Sequence, residues 1–328
     1  MDSFPERPRS HTGARRSRRA PCGAPYCGYM SHKWTTADLA DQHGRTFIIT
    51  GANSGIGKQA ALALAGAGAR VVLAVRDEAK GRRAAAEIGG ATEVRTLDLA
   101  SLDSVRAFAD DWSGSIDVLI NNAGVMAIPH AKTADGFEMQ IGTNHLGHFA
   151  LTNLLLPAIT DRVVTVSSGM HRRGVIDFDD LTWDRRPYDA WTAYRQSKLA
   201  NLLFTLELAR RLQADKSDVR ATAAHPGYAS TNLQGRTGNQ VTDFAMSIGN
   251  RIVAQSDAAG ALPTLFAATQ DLPSDSYVGP DKMAEGRGHP TLVGRSAAAS
   301  NVDDAKRLWL LSEELTGVRY PVPAPQPG

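Results

Sequence analysis

Apolar residues occur along this chain in short unbroken runs that alternate with longer stretches of helical period. Residues 47–50, 70–75, 94–97, 118–120, 163–166 and 219–224 are strand-sized runs, and residues 59–67, 79–88, 102–112, 136–156 and 190–212 carry the helical pattern between them. A run that is apolar throughout suits a strand covered on both faces of a parallel sheet, whereas a half-exposed strand alternates. Strand–helix alternation over six strands predicts an α/β fold, a single doubly wound parallel sheet of order 3-2-1-4-5-6 with helices on both faces. No internal repeat or linker divides residues 33–328, so one domain is expected there.

With 328 residues, 42% of them hydrophobic, the chain can bury a full core. No apolar run approaches the roughly 18–20 residues that span a bilayer, so a soluble, cytoplasmic protein without a transmembrane segment is expected. The formal charge of +2 conceals an asymmetry. Arg7, Arg9, Arg15, Arg16, Arg18 and Arg19 against Asp2 and Glu6 give residues 1–29 a charge of +4, which leaves −2 for the rest. The folded part therefore offers no basic surface to nucleic acid. Both cysteines, Cys22 and Cys27, lie in the same leader at a spacing that matches no metal or redox pair. Residues 1–32, rich in Arg, Pro, Gly and Ser and without periodicity, are expected to be disordered. Three readings of this leader stand: a targeting peptide, a basic tail touching membrane or nucleic acid, and a true start of translation at Met30, the last favoured.

The chemistry-bearing positions fall at the ends of these elements. Tyr194 and Lys198 are four apart in the fifth helical stretch, so a phenol and an ammonium share one helix face. A free tyrosine has a pKa of about 10, and a neighbouring cation lowers it toward proton transfer near neutral pH. Upstream, the first strand runs into Gly51-Ala52-Asn53-Ser54-Gly55-Ile56-Gly57-Lys58 and then a helix. Strand, glycine turn and helix in that order make a dinucleotide-binding element: glycines let the backbone approach a pyrophosphate, and the helix N-terminus turns unpaired N–H groups toward it. Val75-Arg76-Asp77 ends the second strand, where an acidic residue selects the ribose 2′-hydroxyl of NAD and an arginine the 2′-phosphate of NADP. Arg76, directly after the apolar run, points to NADP(H), with Lys58 as a second positive charge; a strand end one residue later presents Asp77 and favours NAD(H). Asn144 interrupts the fourth helical stretch, where its side chain competes with the backbone for hydrogen bonds. His145 and His148 lack a carboxylate or third histidine beside them, and read as packing or surface residues rather than metal ligands.

The glycine spacing Thr-Gly-x-x-x-Gly-x-Gly, Asn121-Asn122-Ala123-Gly124, Ser168 and Tyr194-x-x-x-Lys198, in this order between about Thr46 and Thr231, resembles the short-chain dehydrogenase/reductase family. The 26 positions from Ser168 to Tyr194, with an insertion over residues 172–187, and Ser197-Lys198-Leu199-Ala200-Asn201 are similar to its retinol-dehydrogenase-like and protochlorophyllide-reductase-like members. The resemblance implies a Rossmann-type sheet of order 3-2-1-4-5-6-7, the seventh strand at Tyr277-Val278. It also implies a catalytic set of Asn144, Ser168, Tyr194 and Lys198. Tyr194 exchanges the proton, Ser168 orients the substrate oxygen, and Lys198 lowers the Tyr194 pKa and holds the nicotinamide ribose. Asn144, at a kink in its helix, offers its carbonyl to a water in a relay to Lys198.

The cofactor-binding set carried over with the family is Gly51, Asn53, Ser54, Gly55, Ile56, Gly57, Lys58, Arg76, Asp98, Leu99, Asn122, Ala123, Gly124, Tyr194, Lys198, Pro226, Gly227 and Thr231. Asp98 would lie beside the adenine amino group; its other reading is a cap on the next helix, a role open to Ser101. Thr231 would meet the nicotinamide carboxamide. The implied activity is hydride transfer between NADP(H) and a hydrophobic alcohol or carbonyl compound. The alternative is a non-catalytic NADP(H)-binding regulator or interaction module on the same fold, which the complete Ser/Tyr/Lys set disfavours. A nucleophilic serine is excluded, since no Gly-x-Ser-x-Gly elbow surrounds Ser168. Residues 228–255 are expected over the substrate, with Leu233, Val241, Phe244, Ala245, Met246 and Ile248 either lining a pocket or packing a helix on the core. Relatives dimerise through the helices corresponding to 136–156 and 190–212. Here the insertion ahead of the second helix shifts the expectation to a monomer or weak homodimer, while exposure of Leu203, Phe204 and Leu206 would favour pairing.

Overall fold

A computed structural model describes residues 33–227 and 256–321. The leader, Thr231 and the apolar positions of residues 228–255 lie outside the described residues. The strands are β1 (Thr46–Thr50), β2 (Arg70–Val75), β3 (Thr92–Thr96), β4 (Ile116–Asn121), β5 (Ile159–Val166), β6 (Arg220–Ala224), β7 (Tyr277–Lys282) and β8 (Arg287–Leu292). They form one sheet in the order β3-β2-β1-β4-β5-β6-β7-β8. All neighbours are parallel except β7 and β8, which pair antiparallel. The expected doubly wound sheet is therefore present. Its centre is built from the unbroken runs: Phe47, Ile48 and Ile49 of β1 and Val71, Val72 and Leu73 of β2 are fully buried, as strands covered on both faces must be.

Two expectations change. An eighth strand extends the sheet beyond the predicted seven. Its sequence, Arg287-Gly288-His289-Pro290-Thr291-Leu292, is polar and contains proline because β8 is an edge strand that needs only one hydrogen-bonded neighbour. The single helix predicted over residues 136–156 is instead a composite. Gly136 sits at φ +85° in a turn ahead of it, and Lys132 and Glu138 bridge across that turn. Helix α4 (Met139–Ile141) follows, then a π-helical turn at Gly142–Leu146, then α5 (Gly147–Leu155). The other helices are α1 (Gly55–Gly66), α2 (Glu78–Ile88), α3 (Leu102–Asp110), α6 (Ala190–Ala214), α7 (Asp257–Thr269) and α8 (Val302–Thr316). Among the described residues, no helix is long and apolar enough to cross a membrane.

Leu203, Phe204 and Leu206 are buried and present no apolar face to solvent. The reason is α8. Its Trp309 ring stacks on Phe204 at 5.6 Å between centroids and meets Phe149 edge-on at 4.9 Å, while the Arg211 guanidinium lies 4.5 Å over the same indole. Ser312 of α8 bonds His145 Nε2 at 2.9 Å. Gly317, at φ +64°, ends the helix in the left-handed conformation that glycine adopts without steric cost. The insertion packs on α6: Asp180 accepts the amides of Asp184, Arg185 and Arg186, and Arg186 reaches Asp177 within the insertion at 2.9 Å and Gln196 of α6 at 2.8 Å. Trp309→Ala should lower unfolding free energy by about 3–5 kcal/mol, the usual cost of emptying a buried aromatic site. Urea denaturation measures it; a loss below about 1 kcal/mol would contradict this account of the α5–α6–α8 junction.

Candidate active site

The carboxyl ends of β1, β4 and β5 converge on one edge of the sheet, where open α/β folds bind ligands. At the end of β1 the chain turns at Gly51 (φ +68°) and Gly55 (φ +57°) into α1. The space where a Gly55 side chain would project is open, and Ser54, at the N-cap, makes no side-chain capping bond. The first-turn amides of α1 therefore face that space without helical partners. Gly57 meets the opposite requirement: a Cβ there would lie 2.4 Å from Asn122 Nδ2 and 2.8 Å from the Gly51 carbonyl oxygen. A Cβ at Gly51 would lie 3.0 Å from Ala123 Cβ. The glycine turn and Asn122-Ala123-Gly124 thus touch directly, sewn together by Thr50. The Thr50 hydroxyl accepts the amides of Asn122 and Ala123, each at 2.9 Å, and the Thr50 carbonyl accepts Asn122 Nδ2 at 2.8 Å.

Beside the turn, Asn53, Ser54, Lys58, Lys80, Arg83, Ala84 and Glu87 line a cavity of about 350 Å³. An open glycine turn bordered by a cationic cavity fits a pyrophosphate and its ribose. β2 ends at Val75, so Arg76 is the first residue beyond it. Arg76 is exposed and has no hydrogen-bond or ion-pair partner among the described residues. Asp77, the competing carboxylate, is occupied as the N-cap of α2, where it accepts the Lys80 amide at 2.9 Å. Lys58 is ion-paired with Glu87, which offsets part of its charge. Asp98 accepts the Ala100 amide at 3.0 Å, and Ser101 caps α3. Leu99 is buried, its carbonyl against Gly147. Pro226 and Gly227 follow β6, with Gly227 at φ +69° against the Gly286 carbonyl of the β7–β8 turn.

Ser168, Tyr194, Lys198 and Asn144 come from three separate elements: Ser168 bonds Tyr194, Lys198 lies over the Tyr194 ring, and Asn144 and Lys198 flank Gly124. A Cβ at Gly124 would lie 2.9 Å from Asn144 Oδ1 and 3.6 Å from Lys198 Nζ. Asn144 occupies the π-helical turn, and its side chain answers the sequence puzzle. It accepts the Val125 amide at 2.8 Å and donates to the Val125 carbonyl and to Ser197 Oγ, both at 2.9 Å. Lys198 donates to the Val166 carbonyl at 3.1 Å, and Ser167 Oγ to the Lys198 carbonyl at 2.7 Å, which fixes α6 against the end of β5. Ser168 begins the turn after β5 and accepts the Met170 amide at 3.2 Å.

One expectation reverses in sign. Burial pushes the Tyr194 phenol up to about 12, opposed only by its hydrogen bond with Ser168. Burial also brings Lys198 down to about 8. The Lys198 ammonium lies 5.7 Å from the centre of the Tyr194 ring, so helical spacing does set them on one face. Desolvation outweighs that attraction in both groups. His145 and His148 are buried rather than on the surface. No cluster of metal-ligating side chains occurs among the described residues. His148 joins the site without having been singled out from the sequence for it, and Thr50 had entered only as the first residue of the Thr-Gly-x-x-x-Gly-x-Gly motif, with no role assigned.

The family model for short chain dehydrogenases matches residues 45–242. Retinol dehydrogenase 13 of Homo sapiens is 44% identical over 301 residues, 87% of this chain and 88% of its own length. The solved structure of an uncharacterised protein from Mycobacterium paratuberculosis has 55% identity and a TM-score of 0.79, over 89% of this chain and 100% of its own. A Beutenbergia cavernae protein, titled as an NAD(P)-dependent gluconate 5-dehydrogenase and solved with NADP at low occupancy, has 26% identity and a TM-score of 0.54, over 70% of this chain and 91% of its own. The chain belongs to the short-chain dehydrogenase family, on its retinol-dehydrogenase-like branch, and is an NAD(P)-dependent oxidoreductase of alcohol and carbonyl groups.

Proposed function

We propose that the protein interconverts an apolar, retinoid-type alcohol and its carbonyl compound with NADP(H), and that Tyr194 is the proton donor and acceptor. The observation that carries this reading is the meeting of Ser168, Tyr194 and Lys198 at the sheet edge beside an open glycine turn. The bound nicotinamide supplies or takes the hydride. Gly51, Asn53, Ser54, Gly55, Ile56, Gly57 and Lys58 would hold its pyrophosphate side, Arg76 the 2′-phosphate, and Asp98, Leu99, Asn122, Ala123 and Gly124 the adenosine. Lys198, Pro226 and Gly227 would hold the nicotinamide end, with Thr231 placed there by the family motif alone.

For carbonyl reduction, Ser168 donates a hydrogen bond that orients the substrate oxygen, and Tyr194 gives that oxygen its proton. A phenol held near 12 is protonated throughout the working pH range, as an acid must be. The Lys198 charge beside it favours the phenolate left behind. The Asn144 carbonyl belongs to the same proton relay. Trp191, 40% exposed and one turn before Tyr194, meets the Tyr194 ring edge-on with centroids 6.3 Å apart. This exposed aromatic side chain beside Tyr194 and the likeness to retinol dehydrogenase 13 both support an apolar substrate.

NADPH oxidation with all-trans-retinal and with aliphatic aldehydes tests the activity. Tyr194→Phe should reduce turnover by about 10²–10⁴-fold, the range for a lost general acid, and leave NADPH binding nearly intact; near-parental turnover would refute the mechanism. Reduction should be level below about pH 8 and decline above it, because Lys198 loses its charge as the pH rises through about 8. A rate that climbs from pH 8 to pH 10 would contradict that role.

The cofactor preference rests on Arg76 and on the capping role of Asp77. Arg76→Ala should weaken NADPH binding roughly 10–100-fold, as expected for a lost charge-assisted contact, and leave NADH binding little changed. Equal binding of NADPH and NADH by the parent protein, measured by fluorescence titration, would overturn the preference.

The oligomeric reading is a monomer or weak homodimer, supported by α8, which packs Trp309 against α5 and α6. Light scattering should return about the chain mass of 35.1 kDa at micromolar concentration. A stable dimer or tetramer would count against it.

A further inference from the structure

His148 lies buried on α5, one turn after Asn144, and none of the steps above uses it. Its Nδ1 is 3.1 Å from the Asn144 carbonyl oxygen, and its Nε2 is 2.9 Å from Thr50 Oγ1. A carbonyl only accepts, so Nδ1 carries the proton and Nε2 is the bare acceptor. The Thr50 hydroxyl then donates to Nε2, since the Ile120 carbonyl is farther away at 3.4 Å. Its oxygen accepts the Asn122 and Ala123 amides. Every hydrogen-bonding position of the ring and the hydroxyl is thereby used. Burial pushes His148 down to about 4, the bond to Asn144 opposes this, and the Lys198 charge adds to it. The ring therefore stays neutral, in one tautomer, above about pH 5.

We propose that His148 is a positioning residue for the reaction, a rigid link that fixes the Asn144 carbonyl of the proton relay relative to the Thr50 hydroxyl beneath the cofactor-binding turns. This rests on the proposed function, in which Asn144 and Lys198 serve proton delivery and the two turns hold NADP(H). A leucine or phenylalanine would fill the same volume but leave the Asn144 carbonyl and the Thr50 hydroxyl without this partner, and an unpaired buried polar group is costly. The imidazole satisfies both at opposite ends of one flat ring, so a displacement of either turn is felt at the relay.

The two halves of the link can be removed separately, because an asparagine amide reaches the place of Nδ1 and a glutamine amide that of Nε2. His148→Asn keeps the Asn144 bond and loses the Thr50 bond. It should weaken NADPH binding about fivefold or more and lower the single-turnover rate less than that. His148→Gln keeps the Thr50 bond and loses the Asn144 bond. It should lower the single-turnover rate about fivefold or more and change NADPH affinity less, each figure being what one lost hydrogen bond is worth. The rate is read with retinal or with whichever aldehyde of the panel the parent reduces. Thr50→Val also takes the acceptor from the Asn122 and Ala123 amides, so it should weaken NADPH binding more than His148→Asn does, and the ring tautomer of the parent decides the matter if a His148 variant does not fold. Independently, 15N NMR of the histidine-labelled chain should show His148 as the neutral Nδ1–H tautomer from pH 5 to pH 9.

An Nε2–H tautomer, or a ring protonated at pH 6, would overturn the proposal. So would variants whose rate and affinity losses are equal and track only their melting temperatures. A parent that neither binds NADPH nor reduces any carbonyl of the panel would defeat the proposed function instead, and the tautomer would still decide the link.

Discussion

Two backbone turns at the carboxyl edge of the sheet have to touch, and the arrangement of the site follows from that contact. Gly57 passes Asn122 with no room for a methyl group, and Gly51 does the same at Ala123. Close packing of this kind takes the backbone amides of Asn122 and Ala123 away from solvent, so each needs an internal acceptor. Thr50 serves both with its hydroxyl, and its carbonyl accepts the Asn122 side-chain amide. The glycines are thus required twice over, for the open face that approaches a phosphate and for the closed face that meets the neighbouring turn.

Burial is the second determinant. Tyr194 and Lys198 sit on a helix whose inner face is sealed against β5, and sealing moves both groups toward their neutral forms. A neutral phenol suits proton donation, whereas a depressed ammonium does not suit charge stabilisation indefinitely. The Val166 carbonyl that accepts from Lys198 therefore matters, because it favours the charged form that burial opposes. The polar insertion bound to α6 through Arg186 and Gln196 holds the start of that helix from outside.

Much of this was legible in the sequence where a signal was local. β1 and β2 announced themselves as unbroken apolar runs because both their faces are covered, and Asn144 marked the π-helical turn because asparagine is out of place within a helix. β8 gave no such sign, since an edge strand can be polar and carry Pro290. Residues 136–138 looked helical and are a turn, because the Lys132–Glu138 bridge is a contact rather than a propensity. Spacing put Tyr194 and Lys198 on one face but carried no information on how deeply that face is buried, so the direction of the phenol's shift was missed. The His148–Thr50 bond joins residues 98 positions apart, and no local pattern encodes it.

The Trp309 contacts bear on the order in which the molecule is completed. α8 follows every strand of the sheet in the chain, yet its indole fills the space between Phe149 and Phe204 on the helices that carry Asn144 and Tyr194. A nascent chain that has already finished all eight strands still shows these two aromatic rings to water. The hydrogen-bonded ladder of the sheet thus needs no residue of α8, whereas covering the two rings does. A chain cut short before α8 would leave Phe149 and Phe204 without that cover, the kind of exposed apolar flank on which unfinished chains associate.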